Sequence, residues 1–245
     1  RSRGLGDVYK RQGVFGVVQN WFNLADAACE DALLDSTALR RFVGIDLGRE
    51  RVPDATTLLK FRRLLERNKL GEALFAQVGS VLQARGVKVG TGTIVDVTII
   101  SAPSSTKNAD KLRDPEMHQT RKGQQWFFGM KLHIGVDAQT GLAHSAVVTA
   151  ANVHDKHPLP DLLHGQEKQV WGDCAYAGQH ALIAAAAPKA QDLTNRKVRK
   201  GSATEALERI TNRAKSKVRA RVEHVFAVVT AANVHDKHPL PDLLH

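Results

Sequence analysis

Between Trp21 and Arg85 apolar residues return every three or four positions, the period of helices that each bury one face. Trp21, Leu24, Ala25, Ala28 and Ala32 make one such stripe. Ser36 offers an N-cap for a short helix that carries Leu39 and Phe42 and stops at Gly44. Pro53-Asp54 opens the next helix, with Asp54 as N-cap. Its buried face is Leu58, Phe61 and Leu65, and its polar face Arg62, Arg63 and Arg67. A further helix carries Leu74, Val78 and Leu82 and ends before Gly86. Residues 13–86 are thus expected to form a small all-helical N-terminal domain.

Beyond Gly86 the period changes to that of strands. Thr91 to Ile100 is rich in β-branched residues and ends at Ser101-Ala-Pro103, where a central strand cannot continue. Lys107 to Gln125 is polar and reads as a loop. Two apolar strands follow, Trp126 to Val136 and Leu142 to Ala150, joined by a turn from Asp137 to Gly141. A short helical piece around Leu159 to Leu163, a fourth strand from Gln169 to Asp173, and a helical pattern from Gln179 onward complete the chain. The predicted fold class is α/β, with a mixed sheet flanked by helices behind the helical domain.

Charge and composition narrow the function. Lys and Arg outnumber Asp and Glu by 35 to 25 in 245 residues, a balance that favours a polyanionic partner through counterion release. The two cysteines, Cys29 and Cys174, are too far apart for a CxxC pair, which excludes a zinc motif and points to a reducing cytoplasm. No apolar run reaches the ~18 residues of a membrane span, and no secretory signal is visible.

Two stretches stand apart. Residues 146–164 (AVVTAANVHDKHPLPDLLH) recur without one change as residues 227–245. A structural repeat diverges at unconstrained positions, so the second copy is expected to be foreign to the fold. The first twelve residues show neither periodicity and read as a non-native leader.

Three carboxylates suggest chemistry. Asp96 lies in the middle of the most apolar strand, on the face opposite Val95 and Val97, where an ionised group needs a partner. A divalent metal is one adequate partner; an arginine, or a solvent-facing strand end, is the plainer alternative. Asp173 ends the fourth strand, at the carboxyl edge where α/β sheets bind ligands, although a turn or N-cap role suits it too. Glu223 sits beside the apolar stripe Ile210, Ala214, Val218, Val222 and Val225, one turn after Arg219; a plain surface Glu is the alternative. His154-Asp155 and His157 lack zinc-motif spacing and read as a strand terminus before Pro158. Tyr176 could line a crevice beside Asp173.

Basic residues crowd Lys189 to Arg221. Beside such carboxylates they suggest a DNA-backbone track, for which Lys197, Arg199, Lys200, Arg213, Lys217 and Arg219 are the candidates. Arg121 and Lys122 could add contacts. Trp126 could stack on a base, although a Trp at a strand start more often packs in the core.

An Asp in the first strand, an Asp after the fourth and a Glu on a late helix resemble the triad of ribonuclease H-like folds. The chain is similar, in particular, to DDE insertion-sequence transposases of the insertion sequence five group. The matching stretches are WFNLADAACEDALLDSTALRRFVGIDLG, VPDATTLLKFRRLLE, TIVDVTIISAPSSTKN, GQQWFFGMKLHIGVDAQTGLAHSAVVTAANVHD, WGDCAYAG and RARVEHVF. They run from Trp21 to Phe226, which implies a catalytic domain over 87–226. The resemblance implies metal-dependent DNA strand cleavage and strand transfer, with Asp96, Asp173 and Glu223 holding Mg²⁺ (or Mn²⁺). It also implies double-stranded DNA partners, namely terminal inverted repeats and target DNA, and a homo-oligomer assembled on them in the bacterial cytoplasm. A defective DNA-binding remnant and a related ribonuclease H-like nuclease are the alternatives. The wider group carries Lys or Arg seven residues after the catalytic Glu; here that position is Thr230, inside the duplicated stretch.

Overall fold

The computed structural model describes residues 5–87, 90–102 and 113–227. The chain divides into two compact units, with the division between Val78 and Gly79.

The first unit is helical. Helices α1 (Leu5–Phe22) and α2 (Asp26–Asp35) are separated at Asn23, whose φ of 51° ends the first. The stripe expected from Trp21 to Ala32 is therefore two elements. Trp21 and Ala28 are exposed, while Cys29 and Leu33 face inward. The sequence misled here because Ala and Trp satisfy the period without fixing which face packs. Residues 5–12, set aside on their lack of periodicity, belong to α1.

Helix α3 (Thr37–Val43) is capped as expected: Ser36 Oγ accepts from the Leu39 amide at 3.3 Å, and Gly44 closes it with φ 79°. In α4 (Ala55–Arg67) the Asp54 carboxylate accepts from the Thr57 amide at 2.7 Å. Phe15, Val18, Cys29, Leu33, Val43, Ile45 and Leu58 form the core of this unit. Arg62, assigned to the polar face, is half-buried and clamps Asp26 with contacts of 2.6 and 2.8 Å, while reaching Gln19 at 2.9 Å. Such a fork ties α1, α2 and α4 together through charge-assisted bonds. Helix α5 (Leu70–Ala84) buries none of its residues; Leu74 and Val78, expected inside, are exposed.

The second unit is built on a six-stranded mixed sheet: β1 (Gly92–Ser101), β2 (His118–Lys122), β3 (Gln125–Asp137), β4 (Ala143–Ala150), β5 (Gln169–Trp171) and β6 (Gln191–Asp192). β3 pairs antiparallel with β1, β2 and β4, whereas β5 runs parallel to both β1 and β6. This is the mixed α/β sheet expected of a ribonuclease H-like core. The turn from Asp137 to Gly141 is held by the Asp137 carboxylate, which accepts from the Gln139 and Thr140 amides.

Three local readings change. The expected loop at 107–125 contains β2, a strand of polar residues whose pairing with β3 decides its structure; residues 107–112 lie outside the described residues. After α6 (His180–Ala186) the chain leaves the helical pattern for β6 and an irregular stretch before α7 (Glu205–Arg219). Finally, α7 stops at Ala220, and residues 222–227 form a separate helical segment. Val222 and Phe226 are buried, but Leu207 and Ile210 on α7 are exposed.

Candidate active site

Asp96 lies mid-strand on β1, opposite Ile134 of β3. It is 7% exposed, and one of its oxygens accepts from the Val97 amide at 2.8 Å. The other accepts from Arg219 Nη2 at 2.8 Å, an ion pair in which both side chains are largely withdrawn from water. A buried carboxylate must be paired, and here a guanidinium pairs it. Arg219, expected on the DNA backbone, is the side chain that pairs with Asp96 here.

Asp173 follows β5, the strand directly beside β1, at its carboxyl end. Its side chain accepts from the Ala175 amide at 2.8 Å and so caps the 3₁₀ turn Cys174–Tyr176. Both readings of this residue, cap and strand-end carboxylate, describe it. Burial pushes its pKa up, and the negative charge of Asp96 adds to the rise, while Arg219 opposes it. The backbone next door is crowded: a Cβ at Gly172 would meet Tyr176, Val95 and Thr194 side chains at 3.0 to 3.2 Å. The absent side chain lets Tyr176 tuck in under the end of β5 and sets where Asp173 begins its turn.

Tyr176 is fully buried, and its hydroxyl has no hydrogen-bond partner among the described residues. Burial, followed by the charges of Asp155, Asp96 and Asp173, pushes its ionisation far up. Asp155 is the group the sequence reading passed over. It is paired with Lys131 Nζ at 2.8 Å, yet its charge still reaches Asp173 and Tyr176. Its signal was only a carboxylate between two histidines beyond a strand end, and nothing in that pattern says which strand ends lie together.

Glu223 is exposed on the helical segment 222–227, and its amide donates to the Ala220 carbonyl. Among the described residues no three His, Cys, Asp or Glu side chains are grouped closely enough to hold a metal ion. The chain thus brings Asp96 and Asp173 into each other's electrostatic reach and leaves Glu223 on the surface. In donor chemistry the pair suits a hard divalent cation, which takes oxygen ligands and few protein groups. The raised pKa of Asp173 and the unpartnered Tyr176 hydroxyl mark a spot where a cation would relieve electrostatic cost. Arg219 competes with such an ion for one oxygen of Asp96.

The remaining basic candidates are all exposed. Lys197, Arg199 and Lys200 lie in the irregular stretch before α7, and Arg213 and Lys217 one turn apart on α7. That stretch is laced to the helix: Asn212 bonds both the amide and the carbonyl of Arg196, and Lys215 Nζ donates to the Thr194 carbonyl at 2.9 Å. Arg121 and Lys122 are exposed on β2. Trp126 opposes Arg121 and is 64% exposed, against the core packing expected of it.

Comparison with known proteins gives two family matches. Residues 16–64 match a model described as Transposase domain (DUF772), and residues 88–238 match Transposase DDE domain. Among solved structures, a cryo-EM structure of the piggyBac transposase synaptic complex with hairpin DNA is similar at 11% identity and a TM-score of 0.42. That match covers 83% of this chain and 44% of the other, so this chain spans less than half of that protein's length, and the likeness is too slight to argue from. The DDE match alone takes in more than half of the chain and contains Asp96, Asp173 and Glu223, and on that ground the chain belongs to the DDE transposase family.

Proposed function

We propose that this chain is a DNA transposase of the insertion sequence five group, cutting DNA at the terminal inverted repeats of a mobile element and joining the freed ends to target DNA. The observation that carries the reading is the convergence of Asp96 and Asp173 from two adjacent parallel strands, with Asp173 pushed towards its neutral form. Asp96, Asp173 and Glu223 are the residues that would hold Mg²⁺ or Mn²⁺. When bound, such an ion polarises the phosphate and makes an oxygen nucleophile available near neutral pH.

The chain's own residues supply the rest. Parallel pairing of β1 with β5 fixes the separation of the two carboxylates. Arg219 neutralises Asp96 in the resting chain, and its guanidinium, once released, has the fork geometry that binds a phosphate. The buried Tyr176 ring, packed against Gly172, supports the backbone from which Asp173 projects. Lys197, Arg199, Lys200, Arg213 and Lys217, with Arg121 and Lys122, are the side chains offered to duplex phosphates. Assembly of a homo-oligomer on the paired element ends, in the bacterial cytoplasm, belongs to the same reading. Among the described residues no helix is long and apolar enough to cross a membrane.

The test is strand cleavage on duplex carrying the element's inverted repeats. Cutting is expected only with Mg²⁺ or Mn²⁺, and Asp96→Ala is expected to lower it by more than about a hundredfold, since loss of an outer-shell group alone costs 10–100-fold. Unchanged cutting by that variant would sink the reading.

The exposed Glu223 and the Arg219–Asp96 pair favour one alternative, a DNA-binding chain that no longer cuts. It predicts salt-sensitive DNA binding with no cleavage in any divalent metal.

A further inference from the structure

The strands β2 and β3 form a hairpin around Gly123-Gln124, with β2 at one end of the sheet order. Residues directly opposite across an antiparallel pair share a face, and so do residues two apart on one strand. Arg121 opposes Trp126 and Gln119 opposes Phe128, so these four side chains lie on one face. The Arg121 guanidinium stands 6.0 Å from the centre of the Trp126 ring. Arg113, just before the hairpin, stands 5.5 Å from the centre of the Phe128 ring. The face is therefore a ladder of two aromatic rings, each flanked by a guanidinium, and the outer ring is 64% exposed. Lys122, Gln124 and Gln125 at the tip are exposed as well.

Exposing most of a tryptophan forgoes a large hydrophobic gain. A flat π surface beside fixed cations is what a nucleobase and its phosphate require: the base stacks on the ring while the guanidinium meets the backbone. The two rings are two residues apart on β3, about 7 Å, or roughly twice the 3.4 Å rise per nucleotide of a stacked strand. Bases can occupy both platforms only if they have been opened from each other. A paired, stacked duplex cannot present such bases; an unpaired end can.

We propose that the β2–β3 hairpin is a binding site for unpaired nucleotides of single-stranded DNA, with Trp126 as the stacking platform, Arg121 as its phosphate contact, and Phe128 with Arg113 as a second, inner platform. This deepens the transposase reading and rests on it for the source of the strand: the unpaired nucleotides at an opened or cut DNA end.

The experiment measures binding of the full chain, in EDTA so that nothing is cut, to a labelled oligothymidylate of roughly twelve nucleotides and to a blunt duplex of similar charge. Trp126→Ala is expected to weaken oligothymidylate binding by roughly tenfold, the loss of one base-stacking contact. Duplex binding should stay within about twofold, because phosphate contacts carry it. Trp126→Phe, which keeps a ring at the position, should retain most of the single-strand affinity and shows that the alanine effect is not a folding failure. Oligothymidylate binding that Trp126→Ala leaves unchanged, or that falls in step with duplex binding, would overturn the proposal, as would a native chain that ignores oligothymidylate. None of these readouts depends on cutting. A chain that cuts inverted-repeat DNA with an indifferent Trp126 loses only this inference, and one that stacks bases but never cuts loses only the transposase reading.

Discussion

Asp173 carries two demands that pull against each other. Its backbone position needs an acceptor for the Ala175 amide, while its half-buried setting and the charge of Asp96 oppose a negative charge. A carboxylate whose folded pKa lies above its unfolded value binds its proton more tightly in the fold. Its protonated form is therefore accommodated at low pH. Stability is lost as pH rises from the ordinary carboxylate range through the raised value, and stays lower above it. Asparagine keeps an oxygen for the amide and never ionises. Asp173→Asn is thus expected to melt at a higher temperature than the native chain at neutral pH in EDTA, and the gap should close near pH 4. Thermal melts across that range decide the matter: a gap that persists at low pH, or native stability that rises with pH in step with the variant, would show that ionisation of Asp173 is not the cause. Asp96 is the more buried of the two carboxylates and is paired with Arg219. The sequence could show that Asp96 needed a partner, through its place among valines. It could not choose between metal and arginine, because the partner comes from a helix 123 residues further along.

At the level of elements, whatever is set by neighbours in sequence was legible. The caps Ser36 and Asp54, the stop at Gly44, the Asp137 turn and the apolar strands appear close to where the pattern put them. Elements that depend on a distant partner were not. β2 is polar and exists because β3 extends far enough to pair with it, and the two-residue β6 exists because β5 offers an edge. The break between α7 and the segment 222–227 has no Pro or Gly to announce it, so Glu223 was read on a continuous helix. The site itself depends on β3 as a ruler. Gly135 of β3 pairs with Val95, the neighbour of Asp96, and lies against β4, where a Cβ would run into Ser145 Oγ and the Leu162 carbonyl. Backbone cannot yield as a flexible side chain can. Gly135→Ala is expected to cost about 1–3 kcal/mol, the usual penalty of overpacking, read as a lower midpoint in urea with unchanged slope. A midpoint equal to the native one would mean that β3 and β4 have room to part, and that the strand is a poorer ruler than its contacts suggest.

For the whole molecule, the excess of ten positive charges says only that a polyanion is welcome; the structure separates the cations by what they already hold. Arg62 is committed to Asp26, Lys131 to Asp155, and Arg219 to Asp96. Lys197, Arg199, Lys200, Arg213 and Lys217 are exposed on one unit, along α7 and the stretch laced to it. Composition counts all these side chains alike, so this division was invisible in the sequence, which grouped Arg219 with the free cations although it pairs with Asp96. Counterion release makes the division measurable. Each phosphate neutralised contributes about 0.9 to the slope of log K against log salt on duplex DNA, so removing a contacting cation lowers the slope by about that much. Lys200→Ala and Arg213→Ala are each expected to reduce the slope by about 0.9 in anisotropy titrations over a range of NaCl without divalent metal. Arg219→Gln should leave the slope alone, because in the metal-free chain that guanidinium is spent on Asp96. If Arg219→Gln lowered the slope as the other two do, the Asp96 pair would have to open whenever DNA binds. The carboxylate would then be uncovered by DNA itself, before any metal arrives.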